Sequence, residues 1–112
     1  MELKHTHCST TDTYRAYKRF FTTLASEPRL RILNLLRKGP HHVNAIIEAL
    51  DRDQPSVSHD LARLRECGFV KTKRDGRMIE YSLNEETIRP ILNLIDEHMD
   101  AYCLRIVRTL GT

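Results

Sequence analysis

The feature that most constrains the fold is a change of hydrophobic period at Gly68. Upstream, Val43, Ile46, Ile47 and Leu50 recur at i, i+3, i+4 and i+7, and Val57, Leu61 and Leu64 make a second stripe at helical spacing. Only the polar break Asp51-Arg52-Asp53 separates the two, with Asp53 or Gln54 as cap of the second helix and Pro55 in its first turn. Downstream the period is 2. Val70 and Thr72 alternate with Lys71 and Lys73, Asp75-Gly76 offers a tight turn, and Ile79, Tyr81 and Leu83 alternate with Met78, Glu80 and Ser82. The order is helix, short turn, helix, hairpin. A lone hairpin is barely stable in water, so this one must lay its apolar face on the helices and project its tip, Arg74-Asp75-Gly76-Arg77.

More helices flank this centre. Tyr14, Tyr17, Phe21 and Leu24 share one stripe of a first helix. Ser26 caps a second, with Pro28 in its first turn, Leu30, Ile32, Leu33, Leu35 and Leu36 around much of its circumference, and Gly39-Pro40 as its stop. The last segment reads as one long helix from about Thr87, which places Pro90 in the first turn. Its stripe of Ile88, Leu92, Ile95, Met99, Tyr102 and Ile106 runs on towards Leu110. That stripe is longer than a small core needs, so it is expected to carry a homodimer together with Tyr14, Tyr17 and Phe21. The architecture expected is mainly α with a small β-hairpin, a winged helix-turn-helix dimeric through its terminal helices. Residues 1–12 read as a flexible N-terminal arm and 13–112 as one winged-helix domain that also carries the dimer contact.

At 112 residues, 40 % apolar and 29 % charged, the chain has the composition of one globular domain. No apolar run approaches the ~20 residues of a membrane span, and the polar start Met1-Glu2-Leu3-Lys4-His5 lacks a signal peptide's apolar stretch, so a cytoplasmic location is expected. Cys8, Cys67 and Cys103 are too few and scattered for a disulfide framework. The net charge of +3 is mild, but it is unevenly spread. Arg29, Arg31, Arg37 and Lys38, then Lys71, Lys73, Arg74 and Arg77, make two basic segments, whereas Glu85, Glu86, Asp96, Glu97 and Asp100 make an acidic one. Such a division suits a polyanion on one side. No nucleophile elbow, phosphate-cradling glycine loop or complete catalytic metal motif is present, so an enzyme is not expected.

Three blocks sharpen the reading. Glu27-Pro28-Arg29-Leu30-Arg31-Ile32-Leu33-Asn34-Leu35-Leu36, the stretch Gln54 to Val70, and Arg74-Asp75-Gly76-Arg77 running into Ile79-Glu80-Tyr81-Ser82-Leu83 resemble, in order, the opening, recognition-helix and wing blocks of the ArsR/SmtB family of repressors. The resemblance covers about Thr13 to Leu110. It implies a dimeric winged-helix repressor released from DNA by a small effector, most often a metal ion. A recognition helix in the major groove needs short polar donors near its N-terminus, and Gln54, Ser56, Ser58 and His59 supply them opposite the buried stripe. Arg63 is within reach of a base edge or a phosphate. Lys71, Lys73, Arg74 and Arg77 suit phosphate or minor-groove contact from the wing. Asp60 departs from the family pattern, an acid on a helix that faces DNA. The competing reading is a winged-helix module for protein interaction, which would need neither the polar helix face nor the basic wing tip.

The effector is less fully encoded. Arsenic-sensing relatives carry a cysteine cluster on the third helix; here His42-Val43-Asn44 stands there and only His42 is a ligand. Zinc- and nickel-sensing relatives carry Asp-x-His on the last helix, and Asp96-Glu97-His98 matches that half, but Thr109 and Thr112 occupy the other. His5, His7 and Cys8 offer imidazole and thiol donors suited to a Zn, Cd or Cu ion as effector. Some relatives pair an N-terminal arm with the third helix across the dimer, where His41 and His42 lie in this chain. A redox- or persulfide-responsive repressor using Cys103 and Cys8 is the alternative. Cys67, beside Gly68, reads as a small buried apolar group.

Overall fold

The computed structural model describes residues 10–111; His5, His7 and Cys8, and with them most of the expected arm, lie outside the described residues. The elements in order are α1 (Thr10–Leu24), α2 (Glu27–Leu36), β1 (His41–His42), α3 (Val43–Leu50), α4 (Gln54–Glu66), β2 (Val70–Asp75), β3 (Met78–Leu83), α5 (Ile88–Ala101) and α6 (Cys103–Leu110). The body is helical and the sheet small, as the periods require. Helix α1 begins at Thr10, so residues 10–12 of the expected arm are helical.

Local signals set the boundaries. The Ser26 side chain accepts a hydrogen bond from the Arg29 backbone N–H, capping α2, and Asp53 does the same for Ser56 at the start of α4. Gly68, at φ 76°, takes the left-handed conformation that ends α4, and the Phe69 N–H reaches back to the Leu64 carbonyl. Asp51 occupies the same conformation at φ 50° to close α3.

The core is one cluster: Ile32, Leu33 and Leu36 of α2, Ile46 of α3, Val57, Leu61 and Leu64 of α4, Phe69 just before β2, Val70 and Leu83 of the hairpin, and Ile88 and Leu92 of α5. The stripe Val57/Leu61/Leu64 is wholly buried, as its spacing demands. Leu30, on the same helix as Ile32 and Leu33, stays exposed.

Four expectations are corrected. First, the sheet has three strands in the order β1-β3-β2, all antiparallel, because His41 and His42 pair with Tyr81 and Glu80. His42 therefore sits on a strand as the N-cap residue of α3, not within that helix. Second, the hairpin turn is one residue later than expected. Asp75 pairs with Met78, leaving Gly76 and Arg77 as the central residues, and Gly76 at φ 64° supplies the positive φ that a turn with glycine first requires. Third, the last helix is broken at Tyr102 (φ −127°, ψ −63°) into α5 and α6. Neither proline nor glycine stands there; the break falls where the helix leaves the body, and no residue of α6 is buried. Fourth, the outward stripe of the terminal helices is not continuous. Ile88 and Leu92, expected at the dimer interface, are 3 % and 6 % exposed and belong to the chain's own core. On α1 the inward residue is Phe20, stacked on Phe69 with ring centroids 5.0 Å apart, while Tyr14, Tyr17 and Phe21 face outward.

Candidate nucleic-acid interface

Burial of Val57, Leu61 and Leu64 fixes the rotation of α4, and with it what the helix shows to solvent. Gln54, Ser58 and His59 are exposed. Ser56 is half-buried, and its hydroxyl donates to Asp53 Oδ1 at 2.8 Å while its N–H donates to Asp53 Oδ2 at 3.0 Å. These bonds, the side-chain one foremost, hold the Asp53 carboxyl below its ordinary pKa, because they favour the charged form. The first turn of α4 is thus pinned to the turn before it.

Asp60 has a different task from its exposed neighbours. It is 6 % exposed. Its Oδ2 accepts from Arg52 Nη2 at 2.7 Å and its Oδ1 from Arg29 Nη1 at 3.4 Å. Arg29 also donates from Nε to the Thr23 carbonyl and from Nη2 to the Thr22 carbonyl, so one guanidinium ties the end of α1 to α2 and α4. The acid that looked out of place on a DNA-facing helix points into the body.

Arg63 is placed the same way. Its Nε donates to Thr23 Oγ1 at 2.8 Å, and Thr23 is fully buried and donates in turn to the Arg19 carbonyl. Arg63 is therefore turned towards α1. Cys67 joins this cluster, its Sγ 3.4 Å from Thr23 Oγ1. It is half-buried and packs against the core as a small apolar group would, with this polar contact in addition. Burial pushes its thiol up, but hydrogen bonding with Thr23 and Arg19, helped by the Arg19 charge and by Arg63, outweighs this and leaves it below the ordinary thiol pKa. Thr23 and Arg19 were not legible as parts of the site, since no local pattern marks them.

On the wing, Lys71, Lys73, Arg74 and Arg77 are all exposed. Lys71 is drawn towards Glu86 at 3.4 Å. Lys73, Arg74 and Arg77 have no ion-pair partner among the described residues, so their charge is open to a polyanion. A shallow depression lined by Pro28, Arg52, Pro55, Ser56, His59 and Asp60 marks the N-terminal end of α4.

The other expected site residues lie apart. Tyr14 and Phe21 are 68 % and 57 % exposed, and Tyr17 stacks on Phe21. Ile95 and Met99 are half-buried along an apolar groove of about 480 Å3 that also takes in Phe21, Leu24, Leu30 and Leu33. Tyr102 and Ile106 are exposed, with Leu94, Val107 and Leu110 adding apolar surface that the expected stripe did not include in full. Asp96 is engaged with Arg37 at 2.7 Å and His98 lies against the Tyr102 ring, so the Asp-x-His pair is split between two neighbours. Cys103 is exposed and free. His42 Nε2 stands 3.0 Å from Asp75 Oδ2.

This combination of helix-turn-helix, buried stripe and basic wing has counterparts. Residues 26–72 match the model of the bacterial regulatory protein arsR family. The chain is 32 % identical over 93 residues to the "Probable mercury resistance operon repressor" of Streptomyces lividans, spanning 83 % of this chain and 70 % of that one. The chain belongs to the arsR family. It is 43 % identical over 70 residues to the HTH-type transcriptional regulator NmtR of Mycobacterium tuberculosis, covering 62 % of this chain and 58 % of NmtR. Its fold matches the homodimeric winged helix-turn-helix DNA-binding domain of Mb0332 from Mycobacterium bovis, with a TM-score of 0.77, 25 % identity, and coverage of 91 % of this chain and 93 % of that one. Members of the arsR family are DNA-binding transcriptional regulators and not enzymes. Among the described residues no helix is long and apolar enough to cross a membrane.

Proposed function

We propose that this arsR-family chain is a homodimeric repressor that reads a pseudo-palindromic operator and is released from it by a metal ion. One observation carries the DNA reading: α4 shows Gln54, Ser58 and His59 to solvent opposite a wholly buried stripe, next in the chain to a wing whose Lys73, Arg74 and Arg77 are unpaired among the described residues. The helix side chains suit base edges, and the wing cations suit phosphates or the minor groove. Tyr14, Tyr17 and Phe21 of α1, with Ile95, Met99, Tyr102 and Ile106 of α5 and α6, form the dimer contact. The homodimeric solved relative and the amount of exposed apolar surface on these helices support it.

The effector is a Zn, Cd or Cu ion held by His5, His7 and Cys8 with His42. The donor chemistry supports this, as does the naming of a relative for mercury resistance. Metal-driven release requires the ion to bind the free dimer more tightly than the DNA-bound one.

Selection from random duplexes, followed by anisotropy titrations at several salt concentrations, tests the proposal. A pseudo-palindrome should emerge, and Arg74→Ala with Arg77→Ala should flatten the salt dependence by about one unit of slope for each lost phosphate contact. Substituting His5, His7 and Cys8 should leave operator affinity intact and abolish release. No enrichment of any sequence would overturn the DNA reading, and release by the same ion in the substituted protein would move the effector site elsewhere.

A further inference from the structure

The pairing of β1 with β3 brings three potential ligands together at the base of the wing. His42 is the register partner of Glu80, so their side chains leave the same face of the sheet. Asp75 shares that face, because it pairs with Met78, two residues from Glu80, and strand residues alternate sides. One ligand atom from each of His42, Asp75 and Glu80 lies within 4.8 Å of the other two. His42 and Glu80 are half-buried and Asp75 is exposed, which leaves a path for an ion and a backed wall behind it.

We propose that His42, Asp75 and Glu80 form a binding site for a borderline divalent cation, Zn2+ or Ni2+. Bond lengths of roughly 2.0–2.2 Å to imidazole nitrogen and carboxylate oxygen place the ligands of one such ion about 3–4 Å apart, so small side-chain rotations close the cluster. One imidazole with two carboxylates suits a borderline ion, and no thiol is among the three ligands. The charge is favourable too. Lys73 stands opposite Glu80 on β2, and with two carboxylates against that one ammonium the site keeps a net negative charge. A bound ion would join all three strands, fastening β1 to the last residue before the turn that carries Arg77. The site needs none of His5, His7 and Cys8, though it competes with the effector site proposed above for the His42 imidazole, and its existence does not depend on the operator reading.

The test uses the full chain with His5→Ala, His7→Ala and Cys8→Ser, which removes the competing donors. Substoichiometric Ni2+ should broaden the backbone amide signals around His42, Asp75 and Glu80 first. Calorimetric titration with Zn2+ should show affinity falling at least tenfold in Asp75→Asn with Glu80→Gln, while Asp96→Asn with His98→Ala leaves it unchanged. Broadening centred on Asp96 and His98, no broadening at the wing base, or unchanged Zn2+ affinity in the Asp75/Glu80 variant would each show that His42 and Asp75 make a hydrogen bond and nothing more. Should the Asp75/Glu80 variant fail to fold, the Ni2+ map of its parent still decides. Operator titrations without metal report on the DNA reading separately, so the failure of one leaves the other standing.

Discussion

Asp60 on α4 holds Arg52 of the preceding turn at 2.7 Å in a place where the carboxylate is almost out of water. With Arg29 on its other oxygen, it is the one acid between two guanidiniums that are themselves largely covered. Removing it strands two cations, and breaking a buried pair from one side costs on the order of 3 kcal/mol. Asp60→Ala should therefore lose about that much in urea unfolding, and its loss of DNA binding should follow its loss of folded protein. A variant as stable as its parent, with operator binding selectively lost, would show that Asp60 acts on DNA directly.

The polar residues of α4 separate into two groups with opposite expected phenotypes. Ser58 and His59 are exposed, and their side chains make no hydrogen bond or ion pair among the described residues. Ser58→Ala or His59→Ala should erode the preference for operator over random DNA by about 1–3 kcal/mol for a strong base contact, with stability unchanged. Arg63→Ala breaks the bond to buried Thr23 and should lower stability by about 1–3 kcal/mol while leaving the preference intact. Paired titrations on both DNAs, alongside unfolding curves, separate the two; a loss of preference in the Arg63 variant would return that residue to the interface.

These contrasts show which parts of the molecule the sequence carried. The period of 3.6 gave the buried side of α4, because burial of a helix follows its own repeat. It could not say what covers a stripe. Ile88, Leu92, Ile95 and Met99 share one helix face, yet Ile88 and Leu92 are almost wholly covered by their own chain, Leu92 at the floor of the groove, while Ile95 and Met99 are only half-buried along it. Two residues are too few to show a period, so β1 was invisible, and with it the meeting of His42 and Glu80. Asp60 looked anomalous because its partner Arg29 is 31 residues away, and only packing of α2 on α4 brings them together.

That division of the α5 stripe predicts two kinds of defect. Ile95→Asp or Met99→Asp puts a charge on the proposed contact between protomers, where burial without a partner is strongly disfavoured. Sedimentation should show monomer, with operator affinity lost, because only a two-fold dimer spans two half-sites about 10 base pairs or a small multiple apart. Leu92→Ala instead opens a cavity in the core and should cost about 2–5 kcal/mol of folding stability. A Met99→Asp protein that still sediments as a dimer would move the interface to other exposed surface.

The cap of α4 should report its own titration. The Asp53 carboxyl is held below its ordinary value chiefly by the Ser56 hydroxyl and then by the Ser56 N–H. A carboxyl depressed in the folded state contributes stability that is fully present above its unfolded value and is lost as pH falls through the folded one. Asparagine caps a helix about as well but does not titrate. The difference in Tm between the parent and Asp53→Asn should therefore be constant near neutral pH and shift against the parent below about pH 4, the ordinary range of an aspartate carboxyl. Comparing the two proteins cancels the other carboxylates, including Glu85, whose pKa is likewise lowered by its hydrogen bond from Arg89. Thermal unfolding from pH 6 to pH 3 measures this difference. A gap that stays constant over the whole range would mean that the Ser56 bonds capping α4 do not depend on the charge of Asp53.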